Sequence, residues 1–259
     1  MPRFAANLSF LFADVPFPER FARAARAGFR GVEFLFPYEW PAVEIARWLA
    51  ASGLEMVLFN FPPGDWAAGE RGLACDPARG EEFAAGVETA LEYARVLGCR
   101  RLHCLAGLTP PGVPAERVRA TYVENLRHAA DRAATLGATV MIEAINTRID
   151  MPGYWLDTPA CAFALAEEIG RPNLRVQYDI YHALVMGDDP RLTLRRRLPE
   201  IGHVQVADLP GRHEPGSGEA DYGRLFKLLD ELGYAGWVGC EYRPRAGTEE
   251  GLSWLSPWR

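Results

Sequence analysis

Four short apolar runs in this 259-residue chain carry an oxygen-bearing side chain at or near their ends. "TVMIEAIN" delivers Glu143 and then Asn146, and "LRVQYD" delivers Asp179. "HVQVAD" delivers Gln205 and then Asp208, and "WVGCEY" delivers Glu241. Burying an unsatisfied polar group costs roughly 2–7 kcal/mol, so apolar runs that end this way need a reason. Three carboxylates aimed at one place repel one another, and without compensation one or two must stay protonated. A divalent cation removes that conflict. An all-oxygen donor set of Glu143, Asp179, Gln205 and Glu241 suits a hard ion such as Mg²⁺ or Mn²⁺, whereas zinc prefers His and Cys. One strand-end acid commonly caps a helix or pairs with an Arg; four in successive runs point to a shared partner. Glu143 and Glu241 would flank a substrate from opposite sides, one taking a proton from carbon and the other returning one. A cation on both oxygens of an α-hydroxycarbonyl would stabilise the enediolate between these steps.

Further candidates lie beside these four. His182 follows Asp179 in "YDIYH" and is placed to hydrogen-bond a substrate oxygen. The segment 60–80, "NFPPGDWAAGERGLACDPARG", is longer than a simple strand–helix connection and reads as a lid, with Asn60, Trp66 and Glu70 as substrate-facing candidates. His103, alone in an apolar strand, reads as a satisfied core residue, and His128 and Cys240 as structural. The loop after Gln205, "ADLPGRHEPGSGEADYGRL", has Arg212 and His213 as its cations before the next helix, against Glu214, Glu219 and Asp221. Those acids would repel a phosphate. They point to a small unphosphorylated substrate whose carboxylate Arg212 would hold; Asp221 reads as a helix cap.

The elements that aim these residues repeat along the chain. Eight strand-like runs fall at 3–12, 31–36, 54–60, 100–107, 139–146, 174–179, 203–208 and 237–242, each bounded by turn formers. Amphipathic helical patterns separate them, most ending in Gly; the one around 188–198 is short and basic. Strand–helix alternation implies parallel strands with right-handed crossovers. Eight units in a chain of this length predict an α/β fold, a (β/α)₈ TIM barrel forming one domain over 1–259. In that barrel the C-terminal strand ends build the active site. An open doubly wound sheet would need a Gly-rich turn after the first strand, and "FLFADVPFPE" is not one.

Bulk properties narrow the partners. With 28 Lys and Arg against 34 Asp and Glu, the net charge is −6, which disfavours a nucleic-acid partner. The five cysteines are widely spaced without a CxxC, as in a reducing compartment. No run approaches the ~18–20 apolar residues of a membrane span, and the N-terminus lacks a signal-peptide core; the expected address is the cytoplasm, with no membrane partner. Trp254 and Trp258 near the C-terminus either cover the barrel's end or form a subunit contact in a homo-oligomer.

Several of these segments together resemble one family. "LFNFPPGDWAAGERGL", "MIEAIN", "YDIYH", "HVQVADLPGRHEPGSGEADY" and "GWVGCEYRP" are similar to the hydroxypyruvate isomerase family, within the xylose-isomerase-like TIM barrels. The resemblance spans nearly the whole chain. It implies an aldose–ketose type isomerase that converts hydroxypyruvate to tartronate semialdehyde; closely similar proteins isomerise 2-oxo-tetronates. It also implies Glu143 and Glu241 as the acid/base pair and Glu143, Asp179, Gln205 and Glu241 as metal positions. His182 and Arg212 match the substrate-contacting His and Arg of related ketose 3-epimerases. Those epimerases have His where Gln205 stands and a further Glu where Ile149 stands, which weighs against an epimerase or inosose dehydratase. Endonuclease IV-type relatives need a His-rich multi-metal site and a basic groove, and this chain offers neither.

Overall fold

The computed structural model describes residues 1–258. Eight parallel strands close on themselves in sequence order: β1 (Arg3–Asn7), β2 (Gly31–Glu33), β3 (Glu55–Asn60), β4 (Arg101–His103), β5 (Thr139–Glu143), β6 (Leu174–Asp179), β7 (Ile201–Val206) and β8 (Trp237–Cys240). The ring shuts where β1 pairs with β8, with Phe4 opposite Val238 and Ala6 opposite Cys240. Outside lie α1 (Phe17–Arg26), α2 (Ala42–Ser52), α3 (Gly80–Leu97), α4 (Ala115–Ala134), α5 (Pro159–Ile169), α6 (Ile180–Met186), α7 (Pro190–Arg197) and α8 (Tyr222–Glu231). The expected (β/α)₈ barrel is therefore the observed fold.

Helix boundaries follow local chemistry. Gly53, Gly98, Gly170 and Gly187 end α2, α3, α5 and α6 in the left-handed conformation. The apolar faces of α3 and α4, including Phe83, Val87, Leu91, Tyr122 and Leu126, are buried in the core. Asp221 caps α8 as expected, accepting from Arg224 N at 3.0 Å. Trp254 and Trp258 pack on Phe226 of their own chain, with ring centroids 5.7 and 5.3 Å away.

Several expected boundaries shift, the fourth, fifth and eighth strands ending early at His103, Glu143 and Cys240. The first strand stops at Asn7, not residue 12, because its carbonyl accepts from Phe10 N and Leu11 N and its side-chain oxygen from Ser9 N. The second stops at Glu33, and two prolines, Pro37 and Pro41, follow before α2. Between β6 and β7 there are two helices: α6 starts directly on Asp179, which caps it, and α7 covers most of the basic segment.

Strand side chains alternate faces, so residues two apart share the barrel interior. Gly239 has no side chain because the Glu33 carboxylate occupies its place: a Cβ there would lie 2.3 Å from Glu33 Oε1. At the N-terminal end, Trp237 clusters with Ala5, Val57, Leu58 and Met141. Arg3 lies over its ring at 3.8 Å, and its indole N–H donates to Glu55 at 3.2 Å.

Candidate active site

At the C-terminal end the same eight strands converge on charged and amide groups. Glu143 ends β5 buried; its Oε2 accepts from Gln177 Nε2 at 3.0 Å, while its Oε1 has no hydrogen-bond partner. Asp179 ends β6 and uses Oδ1 to accept from Tyr181 N at 2.7 Å and His182 N at 3.4 Å. Its Oδ2 is buried with no hydrogen-bond partner. Ligand atoms of Glu143, Asp179 and His182 lie within 4.8 Å of one another.

Glu241 sits one residue beyond β8, 7% exposed. Its Oε1 accepts from Arg212 Nη2 at 2.5 Å, and its Oε2 from Asn7 at 2.9 Å and Gln205 at 2.7 Å. Gln205 is a hub: its amide nitrogen also donates to Glu33 at 2.7 Å, and its oxygen accepts from Gln177 at 2.6 Å. The four expected ligands thus share one interior, but only Glu143 and Asp179 present oxygens without a hydrogen-bond partner, Arg212 lying 3.9 Å from that of Asp179. Glu241 is engaged by Arg212, and Gln205 spends one lone pair on Gln177.

Burial and mutual repulsion set the titration behaviour. Desolvation, then Asp179 and Glu241, push Glu143 well above the usual carboxylate range. Desolvation lifts Asp179 to about 6 and Glu241 to about 8, although Arg212 opposes both. Burial by itself would lower the Arg212 pKa, but Glu241, Asp179 and Asp150 together raise it. One cation among so many acids leaves an excess of negative charge. The two open oxygens and this excess fit a divalent cation, with Glu143 and Asp179 as its first ligands.

Loop chemistry places the cation and the imidazole. Asp208 gathers the β7–α8 loop, accepting from Leu209 N, Ala220 N, Gly216 N and Gly218 N at 2.8–3.1 Å. That loop holds Arg212 at a φ of 57°, strained for a non-glycine residue. Arg212 Nη1 donates to Asp150 Oδ1 at 3.1 Å. Asn146 fixes His182. Its Oδ1 accepts from Ile149 N and Asp150 N, both at 3.0 Å, so its Nδ2 must be the donor toward Asp150 and toward His182 Nδ1 at 2.6 Å. His182 Nδ1 is then an acceptor. Desolvation, reinforced by Arg212, lowers the His182 pKa well below its usual value, so the ring is neutral. Its one hydrogen therefore sits on Nε2, which lies 3.7 Å from Asp179 and 3.9 Å from Glu143. His182 thus turns Nε2–H toward Asp179 and Glu143, inside the site.

Two expectations change. Glu70 does not join this set: Arg79 Nη1 binds its Oε1 at 2.5 Å, and Asp65 N binds its Oε2 at 2.5 Å. It braces its own loop. His103, read as core, stands at the site: its Nε2 is 3.5 Å from Glu143 Oε2, and its Nδ1 is 3.2 Å from Asn60 Oδ1. Burial, then His203, lowers its pKa to about 3, so it too is neutral. Asn60 therefore reaches the acids only through His103. Overlooked in the sequence were Asn7, Glu33, Gln177, His203 and Asp150. Glu33 shows the same signal as Glu241, an acid in an apolar strand, but the following "FLF" hid where its strand stops. His203 shares its face with Gln205 two residues on and contacts Glu33 at 2.7 Å.

Comparison with known proteins gives the family. Residues 21–258 match the model of the xylose isomerase-like TIM barrel family. The chain is 54% identical to a 2-oxo-tetronate isomerase of Cupriavidus necator, covering 100% of this chain and 99% of that protein. It is 49% identical to the hydroxypyruvate isomerase of Escherichia coli, covering both in full at 100%. A solved structure from Brucella melitensis, described as an AP endonuclease of family 2, is 51% identical with a TM-score of 0.97 and 100% coverage of both chains. An L-ribulose 3-epimerase, 23% identical with a TM-score of 0.74 over 100% of this chain and 88% of that one, shares the fold. The chain belongs to the xylose isomerase-like TIM barrels, within the group that holds hydroxypyruvate isomerases and 2-oxo-tetronate isomerases.

Proposed function

We propose that the protein isomerises a small unphosphorylated 2-oxo-3-hydroxy acid, with hydroxypyruvate going to tartronate semialdehyde by proton transfer. The observation that carries this reading is the pair of buried carboxylates, Glu143 and Glu241, both raised in pKa and set around one interior. A carboxylate raised toward neutrality is a better base when ionised and a usable acid when protonated. One of the pair removes the C3 proton of hydroxypyruvate, and the other delivers a proton to C2. The net change also moves the O3 hydroxyl hydrogen to O2. His182 Nε2–H is positioned to hydrogen-bond a substrate oxygen, with Asn146 holding its orientation.

Glu143 and Asp179 would hold a divalent cation, with Gln205 and Glu241 completing the set if Arg212 yields its contact. We infer Mg²⁺ or Mn²⁺ from the oxygen-rich donors. When bound, the ion supplies positive charge to an α-hydroxycarbonyl and offsets the repulsion among the acids.

A 2-oxo-tetronate is the second substrate reading, supported by 54% identity to a 2-oxo-tetronate isomerase. It is hydroxypyruvate with a hydroxymethyl group on C3, so the same two proton transfers apply. An epimerase reading has less support, since Ile149 is 66% exposed and brings no acid to the site. A DNA substrate is disfavoured by the net charge of −6. The five unpaired cysteines support a reducing, cytoplasmic setting, and among the described residues no helix is long and apolar enough to cross a membrane. The test is a panel of hydroxypyruvate, 2-oxo-tetronate and free ketoses with Mn²⁺ or Mg²⁺ supplied. Turnover of a 2-oxo acid is expected; conversion of ketoses alone would overturn the assignment.

A further inference from the structure

We propose that Arg71, on the long loop after β3, is the anchor for the substrate's carboxylate. This rests on the 2-oxo acid reading above and goes beyond it by naming the subsite. The loop leaves the C-terminal end of β3 and lies against the neighbouring strand ends. Phe61 N donates to His103 O at 2.8 Å and Cys75 N to Ala106 O at 2.8 Å, both at or beyond the end of β4. Gly72 is so close to this segment that a Cβ would lie 2.5 Å from Leu105 O. Trp66 packs on Phe36, past the end of β2, at 5.1 Å. Arg71 therefore sits on the mouth face, on the β2–β4 side, whereas Glu143, Asp179 and Glu241 come from β5, β6 and the end of β8.

The Arg71 side chain is prepared but unpaired. Its Nη1 donates to Trp66 O at 3.1 Å and Glu70 O at 2.7 Å, which uses both Nη1 hydrogens. Its guanidinium carbon lies over the Trp66 ring, 4.2 Å from the centroid. The remaining edge, Nε–H with Nη2, has no partner among the described residues. That edge is the fork that binds a carboxylate bidentately. The adjacent acid does not fill it, because Glu70 is taken by Arg79. Arg212, the expected carboxylate holder, is already paired with acids: Nη1 is on Asp150, Nη2 is on Glu241, and Asp179 lies 3.9 Å away. A substrate carboxylate beside Glu143, Asp179 and Glu241 would be repelled. Pointed across the mouth toward Arg71, it meets an open cation instead.

The test compares d-glycerate, an inert hydroxy acid, with its neutral amide, by calorimetry on the Mn²⁺-supplied protein and its Arg71→Gln and Arg71→Lys variants. Arg71→Gln should weaken glycerate by about 10- to 100-fold and leave the amide within about twofold, with Arg71→Lys in between. KM for the 2-oxo acid should rise in step, and circular dichroism should show the variants folded. Glycerate binding within twofold of wild type in Arg71→Gln, or an unchanged KM, overturns the subsite while the isomerase reading stands. If wild type isomerises no 2-oxo acid yet glycerate binding still depends on Arg71, the reaction is wrong and the anion subsite remains.

Discussion

At the N-terminal end of the barrel, Trp237 fills the interior against Ala5, Val57, Leu58 and Met141, and its one polar atom is matched by Glu55. At the C-terminal end, Glu143, Asp179 and His103 on the same strands and Arg212 on the β7–α8 loop are buried. Nine buried side-chain atoms have no hydrogen-bond partner among the described residues. Six belong to His103, Glu143, Gln177, Asp179, His203 and Arg212 in the barrel interior, and none to the floor residues around Trp237. Native proteins leave few such atoms. Their concentration at one end means that floor side chains are chosen for packing and mouth side chains for a ligand still to come.

Substitutions at the two ends should therefore fail in different ways. The largest effect is expected at the mouth: Glu143→Gln should lower kcat by about 10³-fold or more, the range of general acid–base catalysis, without loss of melting temperature. Trp237→Ala at the floor should cost about 3–5 kcal/mol of stability and leave the turnover of each folded molecule near wild type. Steady-state kinetics with thermal melts on both variants checks the contrast, and a reversed pattern breaks it.

Next in size is the imidazole. Asn146→Asp places a carboxylate against His182 Nδ1, which draws the ring hydrogen from Nε2. A kcat loss of about 10- to 100-fold is expected, with ¹⁵N spectra showing Nδ1–H in the variant and Nε2–H in wild type. The same Nε2–H signal in both proteins would remove the positioning role of Asn146.

The position of His182 was legible in the sequence, and its tautomer was not. The four strand-end residues stand out because an acid after an apolar run is costly and visible. Asn146 acts through an amide whose two ends are fixed by Ile149 N and Asp150 N on one side and by Asp150 and His182 on the other. No spacing rule announces that. Strand order and helix ends were legible from alternation and terminal glycines. The end of β1 was not, because Asn7 turns the chain with its own carbonyls inside a run that stays apolar. Glu70 misled for a related reason: loop residues carry no period, so its turn toward Arg79 is visible only in the fold.

Acidity offers a smaller effect. Asp179 is raised from 3.8 to about 6 and Glu241 from 4.5 to about 8, so the folded protein binds more protons than the unfolded chain across that window. Their contribution favours folding at low pH and is lost as pH rises from about 4 to about 8. For the metal-free protein Tm should fall from pH 5 to pH 8. Mn²⁺ should raise Tm more at pH 8 than at pH 5; equal shifts at both would argue against carboxylate ligands. The smallest effect is expected at Glu70→Gln, which loses a partly exposed ion pair and should cost less than about 1 kcal/mol with little change in kcat.

The central claim is that Glu143 and Glu241 move a proton between adjacent carbons. It is tested most directly by following hydroxypyruvate or 2-oxo-tetronate by NMR in deuterated water with wild type, Glu143→Gln and Glu241→Gln. Wild type should place solvent deuterium on the substrate carbon, and neither variant should do so at a comparable rate. Turnover that retains all of the original hydrogen, as in a hydride shift, or labelling at the wild-type rate in either variant, would contradict it.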